Sequence, residues 1–404
     1  MLQLVLATCL SRLASRMFAL VIVLYVLQRF DSPVLAGWVV FAAMAPGLVI
    51  SPLAGALLDR MGAAKAIAID MAASAALLLG LAVADMAGAV TAPLLLGFAA
   101  TLSLTAPLGT AGIRVLIPRL VPNDALDRAN ALDTSSYALI SVSGPAVAGV
   151  LFGFAGSQAT LLVIVLLYIA AAISLVPLVR RTSTGHAGPS GSLVRGAWAG
   201  VLYVLRNASL RNLAISYALF QVSWGILIVV VPVVVVRELG AGAVADSVVG
   251  ALWAAAGLAG GLGALYAGHL STVGRERQFI AIGTLATAAA LWPVSASFGL
   301  VGLAIGLVLV GLLEGPIDVG VLSLRQRRTD PDWLGRVLAI SMSFNMSGLP
   351  LGSAVGGIVV VHSAALAFAL AALASVLAAA AAAYFLVPAA SDAGPCQSRH
   401  AGRG

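Results

Sequence analysis

Two pairs of ionisable side chains stand inside apolar stretches of this sequence. Arg12 and Arg16 interrupt the first apolar run, and Glu314 and Asp318 interrupt a later one. Each pair is spaced by four residues, so on a helix its members share one face. A charge inside an apolar helix is costly and is a functional candidate by default. The acids can take up a proton or a cation, while the arginines can adjust their proton affinity or hold an anionic group.

Structural roles are the alternative for both pairs. The charges could form static ion pairs, or their side chains could reach out to water at the helix ends. Asp318 lies only seven residues before Arg325, so the two interpretations are balanced there. Glu314 lies deeper in its apolar run, which favours a functional role.

Composition indicates which elements must position these charges. The chain has 404 residues, of which 61% are hydrophobic and 9% charged, and its mean hydropathy is +1.08. Soluble domains have about 25% charged residues, and a helical span needs about 20 apolar residues. The apolar runs are continuous rather than alternating, which favours spanning helices over a β-barrel.

We predict an all-α membrane protein with twelve transmembrane helices in two six-helix bundles. The expected spans are 3–28, 33–57, 66–84, 91–113, 133–153, 158–179, 212–235, 247–268, 279–296, 299–322, 338–360 and 364–387. The N-terminal bundle is expected at 1–181 and the C-terminal bundle at 212–388, with a cytoplasmic linker at 182–211 and a disordered cytoplasmic tail at 389–404.

The linker contains a short segment that is expected to lie on the membrane surface. Residues 193–206 place apolar side chains along one side of a helix and arginines at its ends. The apolar side chains are Trp198, Val201, Leu202 and Leu205.

The basic residues indicate the orientation. The net charge of +7 is the excess of 22 basic residues, 21 Arg and one Lys, over 15 acidic ones. The basic residues stand mainly at the ends of apolar runs and therefore do not indicate nucleic acid. Loops on one side of the bundle hold nearly all of them, whereas the other side holds only Arg29 and Arg237. The asymmetry predicts a multi-pass inner (plasma) membrane protein with both termini in the cytoplasm.

Three sequence features recur at an offset of 208 residues. Arg128 and Arg336 each end a loop that begins with proline, and 336 − 128 = 208. Gly144 and Gly352 open similar glycine-rich segments, and 352 − 144 = 208. Gly55-Ala-Leu is likewise repeated 208 residues later. The recurrence predicts two equivalent halves in parallel orientation.

A short polar segment separates the second and third spans. Its pattern resembles the loop signature Gly-x-Leu-x-Asp-Arg-x-Gly-x-x-Lys of the major facilitator superfamily, through Gly55, Leu57, Asp59, Arg60, Gly62 and Lys65. The resemblance implies alternating access about a central path that helices 1, 4, 7 and 10 line. It also implies that Asp59 and Arg60 latch the halves against the start of helix 11 in the outward-open state.

The fifth span carries a second motif. Gly144, Pro145 and Gly149 resemble the Gly-Pro-x-x-Gly-Gly motif of proton-coupled exporters, although Ala148 replaces one of its glycines. The alternative is an ordinary packing kink, because proline removes a helix hydrogen bond and glycine admits a close neighbour.

Further charges are expected to act structurally. Arg128, Asp133 and Arg336 are assigned to a cytoplasmic charge network, in which Asp133 would pair with Arg128 or Arg60.

These features predict a secondary transporter that exports a small, amphipathic compound by proton antiport. A proton-coupled importer of a small metabolite is the alternative on the same fold. An enzyme or sensor would need a convergent acid–base or metal cluster, and the sequence has neither that nor a nucleotide-binding signature. No cofactor, metal or nucleic acid is expected, and the partners are a small-molecule substrate, protons and the lipid bilayer. The chain is expected to act as a monomer.

Overall fold

The computed structural model describes residues 2–122, 126–182, 193–269, 275–295, 298–329, 340–341 and 343–386. Within these ranges the chain is almost entirely α-helical and contains no β-strand. This follows from the composition, because a backbone in hydrocarbon must satisfy its hydrogen bonds internally. The predicted all-α membrane fold is therefore confirmed.

Thirteen helices have defined bounds within the described ranges. They are α1 (Leu2–Phe30), α2 (Pro33–Ala42), α3 (Ala45–Met61), α4 (Ala63–Met86), α5 (Ala92–Leu120), α6 (Leu126–Thr182), α7 (Leu193–Arg206), α8 (Ala208–Leu239), α9 (Ala243–His269), α10 (Glu276–Ser295), α11 (Gly299–Arg327), α12 (Gly348–Val360) and α13 (Ala364–Phe385).

The longest helix, α6, consists of two limbs. Gly156 has φ 80° and ψ 175° inside its 57 residues, which breaks the helical geometry between the predicted fifth and sixth spans. Ten helices in the described ranges are long and apolar enough to cross a membrane, and one of them, 132–180, has 49 residues and holds both limbs. When the two limbs of α6 are counted separately and α10 is added, which packs against α11 and α13, helices stand at all twelve predicted positions.

The predicted second span is not one continuous helix. A turn at residues 43–44 separates α2 from α3, where a single helix over 33–57 was expected. Pro46 stands in the first turn of α3, where its missing N–H is tolerated, whereas in a helix interior it would remove a hydrogen bond. The span is retained, because residues 33–51 are long and apolar enough to cross a membrane, but its helix is interrupted at residues 43–44.

The helices pack mainly within two sequential groups. In the first group α1 and α4 lie against α6, and α3 lies against α5. In the second group α8 lies against α12 and α13, and α11 lies against α9 and α10. The two groups touch chiefly where α6 meets α9 and where α2 meets α12.

The contacts between the groups lie towards one end of the molecule. We call the end that carries the exposed Arg60, Lys65 and Arg275 the basic end, and the other the opposite end. A Cβ atom built on Gly149 of α6 would lie 2.8 Å from the Cα of Gly250 in α9. Glycine is therefore needed at this approach, which lies towards the opposite end.

The second approach, between α2 and α12, has the same character. A Cβ atom on Gly357 would lie 3.1 Å from the Cα of Gly37, and Ser353 Oγ donates to the Gly37 carbonyl at 3.2 Å. Helix backbones thus meet directly at both crossings. The two groups are closed against each other at the opposite end.

Gly144 and Gly352, which are related by the 208-residue offset, each contact the first helix of their group. A Cβ atom on Gly144 would lie 2.5 Å from the Arg16 Cβ in α1, and one on Gly352 would lie 2.9 Å from the Val222 Cα in α8. Gly144 therefore brings α6 against α1, and Gly352 brings α12 against α8; in both groups these helices hold the fifth and the first span.

The linker helix α7 packs between the groups at the basic end. Val204 is buried with Leu210 and Ile340, and Val201 packs against the same cluster. Trp198 is 61% exposed and Leu205 41%. The predicted apolar side is therefore divided, because Val201 turns towards the protein. The remainder of the linker at 183–192 and the tail lie outside the described residues.

Candidate functional site

Arg12 of α1 is bound to Asp133 of α6. The Arg12 Nη1 lies 2.8 Å from Asp133 Oδ1, and Nη2 donates to Oδ2 at 3.1 Å. Nη1 also donates to the Asp133 backbone carbonyl at 3.2 Å. A forked, charge-assisted pair of this kind fixes both side chains. Asp133 thus has a partner that the sequence did not suggest, because α1 packs against α6. Its predicted pairing with Arg128 stays a prediction.

Arg16, one turn further along α1, faces an aromatic ring rather than a carboxylate. Its Nη2 donates to the Tyr137 hydroxyl. The guanidinium carbons of Arg12 and Arg16 lie 5.3 and 5.1 Å from the centre of the Tyr137 ring, which is cation–π geometry. Since neutral Tyr137 leaves the charge uncompensated, Arg16 is the cation available to other groups. Tyr137 was not predicted, although it stands one turn after Asp133.

The two acids of α11 keep solvent access although the neighbouring Tyr217 is buried. The Tyr217 hydroxyl of α8 donates to Asp318 Oδ1 at 2.5 Å, and Tyr217 is buried. Asp318 is nevertheless exposed and Glu314 is half-buried. Interior groups that keep such access indicate a space between the helix groups. The sequence did not predict a role for Tyr217 either, because a single tyrosine in an apolar helix carries no signal of function.

Glu314 forms no hydrogen bond or ion pair with any residue in the described ranges. A Cβ atom on Gly260 of α9 would lie 3.9 Å from Glu314 Oε2, so the carboxylate lies beside a bare stretch of helix. Among charged groups, Asp318 on the same helix and, to a smaller extent, Arg16 of the other helix group act on Glu314. Neither Arg12 nor Arg16 forms an ion pair with either acid within the described part of the chain. A static pair between the two sets of charges is therefore not observed.

The polar segment between the second and third spans forms a tight helix–helix junction. Gly62 has φ 84°, which favours glycine, and separates α3 from α4. Arg60 and Lys65 on either side are exposed. Gly55 and Asp59 belong to α3, but the Asp59 side chain lies outside the described part of the structure.

The side chains of two members of the predicted charge network are likewise outside the described part of the structure. Arg128 belongs to α6, but its side chain is not described, and Arg336 lies outside the described residues. The predicted latch against the start of helix 11 therefore stays a prediction.

The motif of the fifth helix forms two packing surfaces. Gly144 receives Arg16 of α1, and Gly149 receives Gly250 of α9. Pro145 lies inside α6, and its carbonyl oxygen would be 2.7 Å from a Cβ atom on Gly250. The motif thus joins the charged part of α1 to the contact between the helix groups.

Metal chemistry has no visible basis in the described ranges. No group of three or more His, Cys, Asp or Glu side chains there could hold an ion. The charged side chains that act on the two acids include Arg16 of the first helix group and the buried Arg325 of α11 itself.

Two groups of spanning helices, closed at one end around acids and an arginine, define a membrane-embedded transport protein. The chain belongs to the major facilitator superfamily, whose family model matches residues 4–212 and again 213–401. It is a transporter rather than an enzyme.

A curated relative and several solved structures are similar over nearly the whole chain. The uncharacterized MFS-type transporter y4rN of Sinorhizobium fredii is 50% identical over 379 residues, which cover 94% of this chain and 93% of the relative. A bacterial homologue of the iron transporter ferroportin in an inward-facing state has a TM-score of 0.73 at 15% identity, covering 95% and 98% of the two chains. The nucleoside transporter NupG has a TM-score of 0.74 at 15% identity, covering 96% and 99%. The two structures show the same fold.

Proposed function

We propose that this protein exports a small, amphipathic compound in exchange for protons. The observation that carries the proposal is Glu314, an accessible carboxyl group in the interior of the protein with no bonded partner among the described residues. A carboxyl group in that position can hold a proton in one conformation and give it up in the next. Asp318, one turn away and bound by Tyr217, forms the second part of the proton path.

Arg16 supplies the coupling between the two helix groups in this proposal. It belongs to the first group, and Glu314 belongs to the second. When Glu314 is ionised, the two attract each other across the central space, and protonation removes that attraction. A change in the charge of one carboxyl group thereby changes the relative stability of the open and closed arrangements.

Alternating access would proceed by rocking of two six-helix units, 1–181 and 212–388, joined by the linker at 182–211. Backbone contacts close the opposite end, while the acids keep access to the space between the groups. If the basic end is cytoplasmic, this is the inward-open arrangement, and both termini lie in the cytoplasm of a cell with the protein in its inner membrane. Each chain contains both units, which supports a monomer.

Orientation can be tested with single cysteines at loops of the two ends. An impermeant thiol reagent applied to intact cells should modify a cysteine at Ala241 and spare one at Arg275. The reverse pattern would contradict the proposed topology.

Direction of transport decides between export and the alternative, proton-coupled import. Export is supported by the resemblance of the Gly144–Gly149 motif to that of proton-coupled exporters. Inside-out vesicles with an acidic lumen should accumulate ethidium or a member of an amphipathic antibiotic panel, and a protonophore should abolish the accumulation. Accumulation only in right-side-out vesicles with an acidic exterior would establish import. Substrate transport that is independent of the pH gradient in both vesicle types would refute proton coupling.

A further inference from the structure

A second cluster of side chains lies on α8, next to the tyrosine that holds Asp318. Tyr217, Gln221 and Trp224 are spaced by four and three residues, so they share one face of the helix. Tyr217 donates to Asp318, which borders the open central space. The face extends about 10 Å from Tyr217 to Trp224, at the usual rise along a helix.

Two polar atoms of this face are buried without a partner. Trp224 is 9% exposed and Gln221 is 4% exposed. Neither the Trp224 Nε1 nor the Gln221 Oε1 has a hydrogen-bond partner in the described part of the chain. The Gln221 Nε2 contacts the Met346 sulfur at 3.2 Å, which is a weak acceptor. Buried polar groups are ordinarily bonded, so a donor and an acceptor left open one turn apart require an explanation.

An aromatic pair lies beside these atoms. The rings of Trp224 and Trp253 have their centres 6.0 Å apart and are inclined by 34°. Trp253 stands on α9, seven residues before Gly260, so the two share a face of that helix. A Cβ atom on Gly260 would lie 3.1 Å from the Gly311 carbonyl oxygen and 3.9 Å from Glu314 Oε2, so this face of α9 packs against α11, the helix that carries both acids.

Trp224 and Arg16 are separated by 224 − 16 = 208 residues, the offset that relates the two halves. The contacts do not follow this offset strictly, because Gly144 meets Arg16 whereas Gly352 meets Val222. Arg16 and Trp224 therefore stand at similar levels of the first helix of their groups, where one group carries a cation and the other an indole.

We propose that Gln221, Trp224 and Trp253 form an aromatic subsite for substrates that contain a planar ring with an amide-like edge. The ring packs against the indoles, the ligand N–H donates to Gln221 Oε1, and the ligand carbonyl accepts from Trp224 Nε1. Both protein atoms are covered in this conformation, so the subsite fills as the groups rearrange. The inference deepens the proposed transport function and rests on it, because it names the substrate class of the same central space.

The test is a fluorescence titration of the purified full-length protein in lipid nanodiscs. The probe is 4-bromobenzamide, which has a planar ring and an amide edge, and whose bromine quenches an indole on contact. Its saturated analogue 4-bromocyclohexanecarboxamide keeps the amide and loses the planar ring. Saturable quenching by the aromatic probe is expected, with about tenfold weaker binding of the analogue, because aromatic contacts contribute beyond buried area.

Variants assign the quenching to the subsite. Trp224→Phe removes the indole N–H and Gln221→Met removes the amide in a similar volume, and each should weaken binding of 4-bromobenzamide about fivefold or more. Trp198→Phe, at the exposed surface of α7, is the matched control and should leave the apparent Kd unchanged. An unchanged Kd in both subsite variants, or equal binding of the two probes, would overturn the proposal. If one variant does not fold, the other and the probe comparison still decide.

The two proposals fail separately. The titration measures binding to the wild-type protein without a proton gradient, whereas the vesicle assay measures proton-coupled movement. Intact binding with no proton-coupled transport would refute the transport mechanism alone, and the reverse result would refute the aromatic subsite alone.

Discussion

The two arginines on adjacent turns of α1 have partners of different charge. Arg12 is neutralised by Asp133 through a forked pair, whereas Arg16 is held by a neutral phenol. The first arginine therefore fixes α1 to α6, and the second keeps a charge that other groups can sense. Under the proposed function, Arg12 has a structural role and Arg16 a functional one, four residues apart.

The structural role of the Arg12 pair can be measured with a double-mutant cycle. Asp133→Asn leaves a largely buried guanidinium without its counter-charge and should destabilise the protein by about 1–3 kcal/mol. Arg12→Met combined with Asp133→Leu should recover most of that loss. Thermal unfolding in one detergent provides the comparison. Equal stability of wild type and the Asp133→Asn variant would show that the pair contributes nothing.

Tyr137 offers a graded test of how Arg16 is held. Tyr137→Phe keeps the ring under both guanidinium groups and loses only the hydroxyl, whereas Tyr137→Leu loses both contacts. Since each cation–π contact contributes about 0.5–1 kcal/mol at an accessible site, the leucine variant should be the less stable by at least that amount. Identical melting curves for the two variants would argue against the stacked arrangement.

At the residue scale the sequence identified charges but not their partners. The spacing of Arg12 with Arg16 and of Glu314 with Asp318 predicted one face each, and that prediction needs only the helical repeat. Arg12 was not identified as a partner of Asp133, because the distance between α1 and α6 depends on packing. Tyr137, Tyr217 and Trp224 carried no local signal, since aromatic residues are ordinary in apolar helices.

At the scale of elements, α6 and α9, which hold the fifth and eighth predicted spans, meet at the opposite end. Gly149 and Gly250 allow their backbones to meet, and a larger side chain at either place cannot be accommodated without displacement. Sequence analysis identified the first of these glycines through its motif. The second has no motif, and only the crossing of α6 with α9 reveals its role.

A side chain at Gly250 should hold the opposite end apart. In Gly250→Val the added Cβ would lie 2.7 Å from the Pro145 carbonyl oxygen, so the closed arrangement becomes unfavourable. Gly261→Val on the same helix is the matched control, because nothing lies within 4 Å of a Cβ there. A cysteine at Phe154 should react faster with a thiol reagent in the first variant than in the second. Equal rates would remove this contact from the account.

The junction between α3 and α4 is the second element that should govern conformation. Asp59→Asn should abolish or strongly reduce transport and leave membrane insertion intact, since a carboxylate at a helix N-terminus gains about 0.3–1 kcal/mol. Asp31→Asn, in the loop at the opposite end, is the control. Normal vesicle transport by the Asp59→Asn variant would eliminate the latch.

Over the whole molecule, hydropathy predicted the helical membrane fold because each span carries its own signal. The turn at residues 43–44 and the closure of the opposite end were not predictable in that way. Both depend on how helices from different parts of the chain meet. The internal offset of 208 residues came closest, since it related Gly144 to Gly352 before their contacts were known.

The central claim is that the two ends of the space between the helix groups open and close in opposition, under control of Glu314. Two pairs of spin labels test it on a chain with Cys9→Ser and Cys396→Ser. One pair, at Met86 and Val361, spans the opposite end, and the other, at Ile69 and Tyr384, spans the basic end; all four positions are exposed.

Distances between the labels should be recorded in nanodiscs for the wild-type carboxyl and for Glu314→Gln, which resembles its protonated form. The account predicts reciprocal changes, in which one distance distribution lengthens as the other shortens. Distributions that are unchanged by Glu314→Gln, or that lengthen together at both ends, would contradict it.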